Sequence, residues 1–190
     1  DQQRQATLEA AEIAGLKVLR MINEPTAAAL AFGYRNPEAE TQLLVFDLCG
    51  GTFDVTLLEV FDGIVEVKAS AGESRLGGED YTNLLCDWIQ KKASWEPPAE
   101  RFQAWRQHVE VAKRKLASQE EVSVGTGEQV FRLNRSELEH ATAGVTAKLR
   151  PVVTRCMRDA GVAQGDLDDI VLVGGASRLS VVHSFLGKSM

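Results

Sequence analysis

The sequence is poor in the residues on which small secreted proteins and metal-binding domains depend. It contains three cysteines and three histidines in 190 residues. Cys49, Cys86 and Cys156 are odd in number and widely spaced, so they indicate neither a disulfide framework nor a metal-ligand cluster. We therefore expect a reducing compartment, and specifically a cytoplasmic protein.

Long apolar runs and an excess of positive charge are also missing. No stretch approaches the length of a membrane span, and residues 1–5 have neither the basic nor the apolar region of a signal peptide. The net charge of −6 argues against broad nucleic-acid binding. With 44% hydrophobic and 25% charged residues, the composition is that of an ordinary soluble globular protein. The chain begins within a predicted helix, so we expect a fragment of a longer protein.

The most informative stretch is residues 46–55, FDLCGGTFDV, in which two glycines separate mirrored runs of alternating residues. Gly50-Gly51 predicts a two-residue hairpin turn. One face of the hairpin is then wholly apolar, and the other carries Asp47 opposite Asp54. The apolar face comprises Phe46, Leu48, Phe53 and Val55, and the polar face comprises Asp47, Cys49, Thr52 and Asp54.

Two directly opposed carboxylates are destabilising unless a cation neutralises them. Hydrated Mg²⁺ with phosphates is the natural candidate, because this ion uses one or two carboxylates and keeps several waters. Glycine amides at the turn can approach phosphate oxygens closely. A surface turn with two solvated aspartates is the alternative interpretation.

The remaining patterns predict an α/β protein. Before the hairpin we expect a helix that ends at Gly15, a short strand and a helix with Pro25 in its first position. After it we expect a three-stranded meander, then helices and a further hairpin, and a long helix that Pro151 kinks or divides. The predicted strands cover residues 17–22, 43–48, 52–61, 64–70, 121–124, 129–133 and 170–173, and the later helices residues 81–92, 100–117, 134–160 and 180–186.

Four further features are candidates for a site, and three of them also have a simpler structural interpretation. Gly77-Gly78 precedes a helix and could present amides to an anion, or merely permit a turn. Gly174-Gly175 follows an apolar strand, as in nucleotide-binding folds, without the spacing of a dinucleotide fingerprint or P-loop. Glu24 can complement a helix dipole. Glu110, Lys113 and Arg114 form a helical stripe of the kind that is usually solvated.

Five ordered motifs resemble the ATPase domain of DnaK-type heat-shock chaperones, the heat shock protein 70 family. They are INEPTAAALAFGY, LLVFDLCGGTFDVTLLE, ASAGESRLGGEDY, VEVAKRKLAS and DIVLVGGASRL, and together they cover nearly the whole chain. Residues 58–63 and 173–177 look especially like the HscC branch. The resemblance implies the second lobe of an actin-like, ribonuclease H-like ATPase fold. Residues 1–77 and 134–190 would form a discontinuous inner α/β subdomain, and residues 78–133 an inserted outer α+β subdomain.

The resemblance also implies roles for the candidate residues. Asp47 and Asp54 would hold Mg²⁺ through water, and Glu24 and Asp54 would help organise the metal and the attacking water. Thr52 would lie near the terminal phosphate. The implied nucleotide-binding residues are Gly50, Gly51, Thr52, Gly77, Gly78, Glu79, Glu110, Lys113, Arg114, Gly174, Gly175 and Arg178, with the two arginines flanking the adenine.

Three positions depart from the family pattern. Cys49 replaces the first of three glycines, which is costly if the backbone there needs a positive φ. Ala117 stands where the family often has a serine that contacts the base, so one hydrogen bond is missing. Ser180 replaces a common helix-starting proline, and we expect little from that change.

The implied activity is ATP hydrolysis that drives peptide binding and release in protein folding and the stress response. The first lobe, its catalytic lysine and the peptide-binding domain are absent, so we expect the chain alone to be inactive. The implied partners are those missing parts, unfolded peptide clients, a J-domain co-chaperone and a nucleotide exchange factor. A small-molecule kinase of the same superfamily and a degenerate, nonhydrolysing homologue are the alternatives.

Overall fold

A computed structural model describes residues 2–32, 40–126 and 129–189. Among these residues no helix is long and apolar enough to cross a membrane. The helices are α1 (Gln2–Ile13), α2 (Glu24–Phe32), α3 (Gly78–Ala93), α4 (Phe102–Lys115), α5 (Arg135–Ala147), α6 (Leu149–Ala160) and α7 (Ser180–Ser189). The strands are β1 (Thr41–Leu48), β2 (Phe53–Phe61), β3 (Ile64–Glu73), β4 (Glu121–Thr126), β5 (Gln129–Asn134) and β6 (Asp169–Val173).

The main sheet has four strands in the order β3-β2-β1-β6. The β1–β2 and β2–β3 pairs are antiparallel, and β6 lies parallel to β1. The register pairs Asp47 with Asp54 and Leu48 with Phe53, as the mirrored sequence predicts. The predicted meander is therefore confirmed, and the sheet is mixed rather than purely antiparallel.

Strand β1 is buried on both faces, which explains its continuous apolar run. Leu44, Phe46 and Leu48 lie in a large core with residues of α3 to α7. Leu43 and Val45 point the other way and pack in a second core that includes Ala29 of α2. Helices therefore cover the sheet on both sides, as burial of apolar faces requires.

The β4–β5 hairpin forms a separate two-stranded sheet. Trp95, Trp105 and Phe131 pack together beside it, with ring centroids 5.3–5.8 Å apart. These rings belong to the same apolar core as Phe46 of the main sheet. The division of the chain at residues 78–133 stays a prediction.

Pro151 divides the long helix, as expected. Helix α5 ends at Ala147 and α6 begins at Leu149. The proline has no N–H to donate to the carbonyl four residues earlier, which is that of Ala147, and its ring crowds that carbonyl. Asn134 caps α5 as the capping-box pattern indicates: its side chain accepts from the Glu137 amide, and its own amide donates to the Glu137 carboxylate.

The N-terminal segment differs from the prediction. Residues 17–22 form no strand, because no neighbouring strand of the described chain pairs with them. Helix α1 forms as predicted but buries none of its residues. Ile13 and Leu19 are 88% and 87% exposed. A helix makes its backbone hydrogen bonds within its own segment, whereas a strand needs a neighbouring strand.

Candidate functional site

The hairpin turn has the predicted geometry. The amide of Cys49 donates to the carbonyl of Thr52 at 3.0 Å. Among the described residues, the non-glycine residues with a positive φ are Asp62 and Ser94, so Cys49 is not strained. A Cβ at Gly50 or Gly51 would meet no atom within 4 Å. Neither Gly50 nor Gly51 has a positive φ, so the backbone conformation does not require glycine at these positions. The space next to both residues is open to a ligand.

Three carboxylates crowd the polar face of this hairpin. Repulsion by Asp47 is the largest cause that raises the pKa of Glu24, followed by burial and by a hydrogen bond with Asp47. Burial, and then the charge of Asp47, raise the pKa of Asp54. The Cys49 thiol donates to Asp47 Oδ1 at 3.2 Å, and this hydrogen bond contributes most to raising its pKa to about 11. The charge of Asp47 thus contributes to the raised pKa of all three groups, and burial contributes to each as well.

The hairpin fits a cation that keeps its water shell. In residues 2–32, 40–126 and 129–189, no three His, Cys, Asp or Glu side chains are arranged to hold a metal ion directly. Asp47 and Asp54 form one opposed pair, and Mg²⁺ characteristically takes one or two carboxylates together with waters and phosphate oxygens. The carboxylate pair therefore suits a hydrated Mg²⁺ and does not suit a fully coordinated structural ion.

Gly72 makes room for Asp54, a role that the sequence pattern did not reveal. It is the β3 partner of Asp54 across the ladder. A Cβ at Gly72 would collide with Asp54 Oδ1. A glycine inside a strand often indicates that another group approaches the backbone closely, and this signal could have identified Gly72 from the sequence.

The start of α3 is not an anion site, which corrects one reading of Gly77-Gly78. The Gly77 amide donates to Asp80 Oδ2 at 2.8 Å. The Gly78 and Glu79 amides donate to the carbonyls of Cys49 and Gly50, at 2.9 and 2.8 Å. These donors are already used, so the helix start docks on the hairpin turn instead of binding an anion.

Gly77 is a glycine because the two backbones touch. A Cβ on it would overlap the carbonyl of Gly50 and the amide of Gly51. Gly78 faces Ala176 on its other side, where a Cβ would lie 3.1 Å from the alanine Cβ. The pair therefore joins the hairpin turn to the end of β6.

Gly174-Gly175 brings the end of β6 against the end of β1. The two strands are parallel, with Val173 beside Asp47. Gly174 has φ +82°, and a Cβ there would overlap the Leu48 carbonyl and lie 2.8 Å from Asp47 Oδ1. Gly175 is exposed, with open space around it. Carboxyl ends of adjacent parallel strands are common ligand sites in α/β sheets.

The charged stripe on α4 is not a solvated face, which corrects the simpler reading. The side chain of Lys113 is 3% exposed and its ammonium lies 2.6 Å from Glu110 Oε2. It also donates to the Gly78 carbonyl at 2.6 Å and to Thr82 Oγ1 at 2.8 Å. Arg114 donates to Glu110 Oε1 at 2.8 Å but stays 76% exposed.

The pKa directions in this pair reflect different degrees of burial. Burial tends to raise the pKa of Glu110, but hydrogen bonds from Lys113 and Thr82 and the lysine charge bring it down to about 2. Burial lowers the pKa of Lys113 in spite of the nearby carboxylate. Three acceptors surround its nitrogen, which is the geometry of a protonated ammonium.

A cleft of about 850 Å³ separates the turn from the α4 wall. Eight of the predicted nucleotide-binding residues line it, together with Ala117. They are Gly50, Gly78, Glu79, Glu110, Lys113, Arg114, Gly175 and Arg178. Four other predicted nucleotide-binding residues do not line the cleft but lie in segments next to lining residues: Gly51, Thr52, Gly77 and Gly174. Asp47 and Asp54 lie on the strands on either side of the turn, and Glu24 interacts with both of them from the start of α2.

Arg106 is a cleft residue that the sequence reasoning missed. It lines the cleft and donates to Asn83 Oδ1 at 2.9 Å, with Glu79 at 3.4 Å. Its position four residues before Glu110 places it on the same face of α4, a spacing that could have identified it.

Comparisons with known proteins agree with this arrangement. The family profile described as Hsp70 protein matches residues 1–190. The chaperone protein DnaK of Deinococcus proteolyticus is 41% identical over 198 aligned positions, which cover 95% of this chain and 31% of that protein. A chaperone protein HscA homolog of Histophilus somni is 39% identical over 191 positions, covering 99% and 30%. DnaK of Thermotoga neapolitana is 40% identical over 203 positions, covering 98% and 34%.

The chain thus spans 30% to 34% of the length of these relatives. They are named DnaK and HscA, so the HscC branch stays a prediction. The mixed sheet with helices on both sides is consistent with the actin-like ATPase fold that the resemblance implied. A match to the whole chain by the family profile, with relatives near 40% identity, is decisive: the chain belongs to the Hsp70 family.

Proposed function

We propose that this chain is the second lobe of the nucleotide-binding domain of an ATP-dependent chaperone. It would bind ATP or ADP with Mg²⁺ in the cleft between the hairpin turn and α4. The observation that carries the proposal is the opposed pair of Asp47 and Asp54 beside the open Gly50-Gly51 turn, at the edge of a cleft with cationic side chains on its far wall.

The phosphates would lie at the turn. Neither glycine amide donates to a backbone carbonyl in the described residues, and the Gly50 amide interacts with the soft Cys49 sulfur, for which a phosphate oxygen could substitute. Asp47 and Asp54 would hold the ion through water, and the ion would neutralise charge on the phosphates. Thr52 is exposed at the tip and would approach the terminal phosphate.

The nucleoside would lie between α4 and the turn after β6. Arg114 and Arg178 are both exposed and line the cleft, so the flat faces of their guanidinium groups could flank a base while Arg114 Nε stays bonded to Glu110. Glu110 offers an acceptor that is held in place by its own partners. Lys113 donates its three N–H groups to protein acceptors, so its contribution to nucleoside binding would be mainly electrostatic.

Hydrolysis would be attack of water on the γ-phosphate. Little covalent chemistry falls to the protein in such a transfer, so positioning and charge neutralisation dominate. Glu24 stands at the start of α2, beside Asp47, where its carboxylate can orient a water molecule and respond to the nucleotide state.

The rest of the protein would complete the site. Exposed Ile13, Leu16 and Leu19 of the N-terminal segment are large apolar side chains without a partner in the described chain, and they support contact with the first lobe. The peptide-binding domain, peptide clients, a J-domain co-chaperone and an exchange factor are the further partners that we propose, with the cytoplasm as the location.

ATP turnover by the full-length protein, with and without an unfolded peptide, tests the proposal. Stimulation by peptide is the expected result. Transfer to a small-molecule acceptor would indicate a kinase, and absence of turnover a degenerate homologue. The isolated 190-residue chain should show no single-turnover hydrolysis; measurable hydrolysis by it would contradict the assignment to one lobe.

A further inference from the structure

Thr82 is a buried polar residue that no motif singled out. It lies on α3, one turn after Gly78, and its side chain is fully buried. Its hydroxyl accepts a hydrogen bond from Lys113 at 2.8 Å and contacts both the Gly78 carbonyl, at 3.1 Å, and the Glu110 carboxylate. A single hydroxyl therefore joins two helices.

The Thr82 hydroxyl is one of three protein acceptors that together satisfy the Lys113 ammonium. Lys113 has three N–H groups and three acceptors: the Gly78 carbonyl, Thr82 Oγ1 and Glu110 Oε2. Without the Thr82 oxygen, one N–H of an almost fully buried ammonium would lose its partner, and Glu110 would lose a donor. An unsatisfied buried charged group is costly, so the side chains would rearrange.

The same helix turn is also tied to the hairpin. Its Gly78 and Glu79 amides donate to the carbonyls of Cys49 and Gly50. The Gly78 carbonyl accepts from Lys113 on the opposite side. A continuous set of hydrogen bonds therefore runs from the Gly50 turn through the start of α3 to Glu110 on the cleft wall.

We propose that Thr82 is a positioning residue that fixes Glu110 and Lys113 on the cleft wall and holds that wall in register with the Gly50-Gly51 turn. A ribonucleoside polyphosphate, which spans the wall and the turn, would then meet one preorganised surface. This inference rests on the proposed function and adds a residue that acts through others.

The chain offers a matched control for the test. Thr142 is equally buried on a helix, and its hydroxyl donates to a carbonyl four residues earlier, that of Leu138, at 2.7 Å. It lies on α5, outside the residues that line the cleft. Thr142→Val therefore removes the same group from the same kind of site without touching the network.

The experiment measures Mg·ADP affinity of the full-length protein by calorimetry for the wild type, Thr82→Val, Thr82→Ser and Thr142→Val, with a thermal midpoint for each. Thr82→Val should weaken binding about tenfold, the scale of one charge-assisted hydrogen bond. Thr82→Ser restores the hydroxyl and should stay within about twofold, as should Thr142→Val. Thr82→Val should lose more thermal stability than Thr142→Val, because it also leaves one N–H of Lys113 without an acceptor.

A double-mutant cycle with Glu110→Gln tests whether Thr82 acts through Glu110. Adding Thr82→Val to Glu110→Gln should cost clearly less affinity than Thr82→Val costs alone, because the residue being positioned is already altered. Additive losses would contradict the positioning role.

The outcomes separate this inference from the proposed function. If wild-type protein binds Mg·ADP and Thr82→Val binds equally well, Thr82 has no positioning role and the proposed function stands. If Thr142→Val weakens binding as much as Thr82→Val, the effect is general helix destabilisation and the inference is wrong. If the wild type binds no nucleotide, the proposed function fails and the inference fails with it.

Discussion

The hairpin and the α4 wall both carry carboxylates at the edge of the same cleft, but they are neutralised differently. On α4, Glu110 lies 2.6 Å from Lys113 and 2.8 Å from Arg114. At the hairpin, Asp47 faces Asp54, and no ion pair in the described part of the chain includes either of them. The pKa of Glu110 is lowered in spite of burial because its partners stabilise the charge, whereas burial and then the charge of Asp47 raise the pKa of Asp54.

This difference separates two ways of building a ligand site. The α4 wall is internally compensated, so its geometry is set before any ligand arrives. The hairpin has a fixed backbone and uncompensated charge, so its carboxylates gain most when a cation binds. We therefore expect the hairpin to govern metal dependence and the wall to govern nucleoside affinity.

Asp47→Asn should have the largest effect on ATP turnover of the full-length protein. The change keeps an acceptor for the Cys49 thiol but removes the charge that would hold the hydrated ion. Loss of such an outer-sphere partner typically costs about 10–100-fold. The measurement is steady-state turnover across a Mg²⁺ titration.

Asp62→Asn is the matched control for that experiment. Asp62 is an exposed carboxylate in the other turn of the same meander, with φ 48°, a conformation that asparagine also tolerates. It should leave turnover unchanged. Equal losses in both variants would mean that the effect is a general one of surface charge.

Gly72→Ala should lower turnover by about tenfold, because the new methyl group would displace the Asp54 carboxylate. The obstructing atom is the end of a side chain, so stability should change little. Gly144→Ala is the control, since a Cβ there meets nothing within 4 Å. It should stabilise α5 by about 0.5–1 kcal/mol and leave turnover alone. Unchanged turnover in Gly72→Ala would remove Asp54 from the mechanism.

The two regions should also respond to pH with opposite signs. Repulsion by Asp47 and then burial raise the pKa of Glu24, and burial and then the charge of Asp47 raise that of Asp54, so the ionisation of both opposes folding at neutral pH. Asp47→Asn should therefore be more stable than the wild type at pH 7 without metal. This advantage should vanish once the pH falls through the ordinary carboxylate range of about 4, because both groups are then protonated in the unfolded chain as well as in the folded one.

For Glu110 the sign reverses. Its pKa is about 2 in the fold against a reference of 4.5, so its charge contributes stability above pH 4.5 that is lost toward pH 2. Glu110→Gln should be less stable than the wild type at pH 7, and the difference should shrink below about pH 4. Urea midpoints at a series of pH values, followed by tryptophan fluorescence, measure both differences. If Asp47→Asn and Glu110→Gln both raised, or both lowered, the stability at pH 7, the proposed contrast between the hairpin and the α4 wall would be wrong.

Ala117→Ser should have the smallest effect and improve nucleotide binding. Ala117 lines the cleft after the last turn of α4, where a hydroxyl would add one hydrogen bond to the base. Such a bond is worth about 0.5–1.5 kcal/mol, or roughly two- to tenfold in Kd. Calorimetry with ADP measures it, and unchanged affinity would place the base elsewhere.

Local patterns were sufficient to predict much of the fold. The mirrored alternation around Gly50-Gly51 gave the register of β1 and β2, and Pro151 marked the division of the long helix. Helix α2 begins at Glu24, one residue before the predicted start, with Ala27 donating to the Asn23 carbonyl. Each of these features depends on residues close together in sequence.

Contacts between distant segments were not predictable in this way. The amides at the start of α3 donate to carbonyls of the hairpin, and buried Lys113 donates to Thr82 of another helix. Gly72 reveals its role only across the β2–β3 ladder. The residue roles implied by the family resemblance stay predictions until a ligand is bound.

A crystal structure of the full-length protein with ADP and Mn²⁺ in place of Mg²⁺ is the most direct test of the central claim. Anomalous scattering locates the metal without assumptions about the site. We predict a peak beside Asp47 and Asp54, linked to them by water, with phosphates over Gly50-Gly51 and the nucleoside against α4. A metal or phosphate bound away from this hairpin would contradict the account.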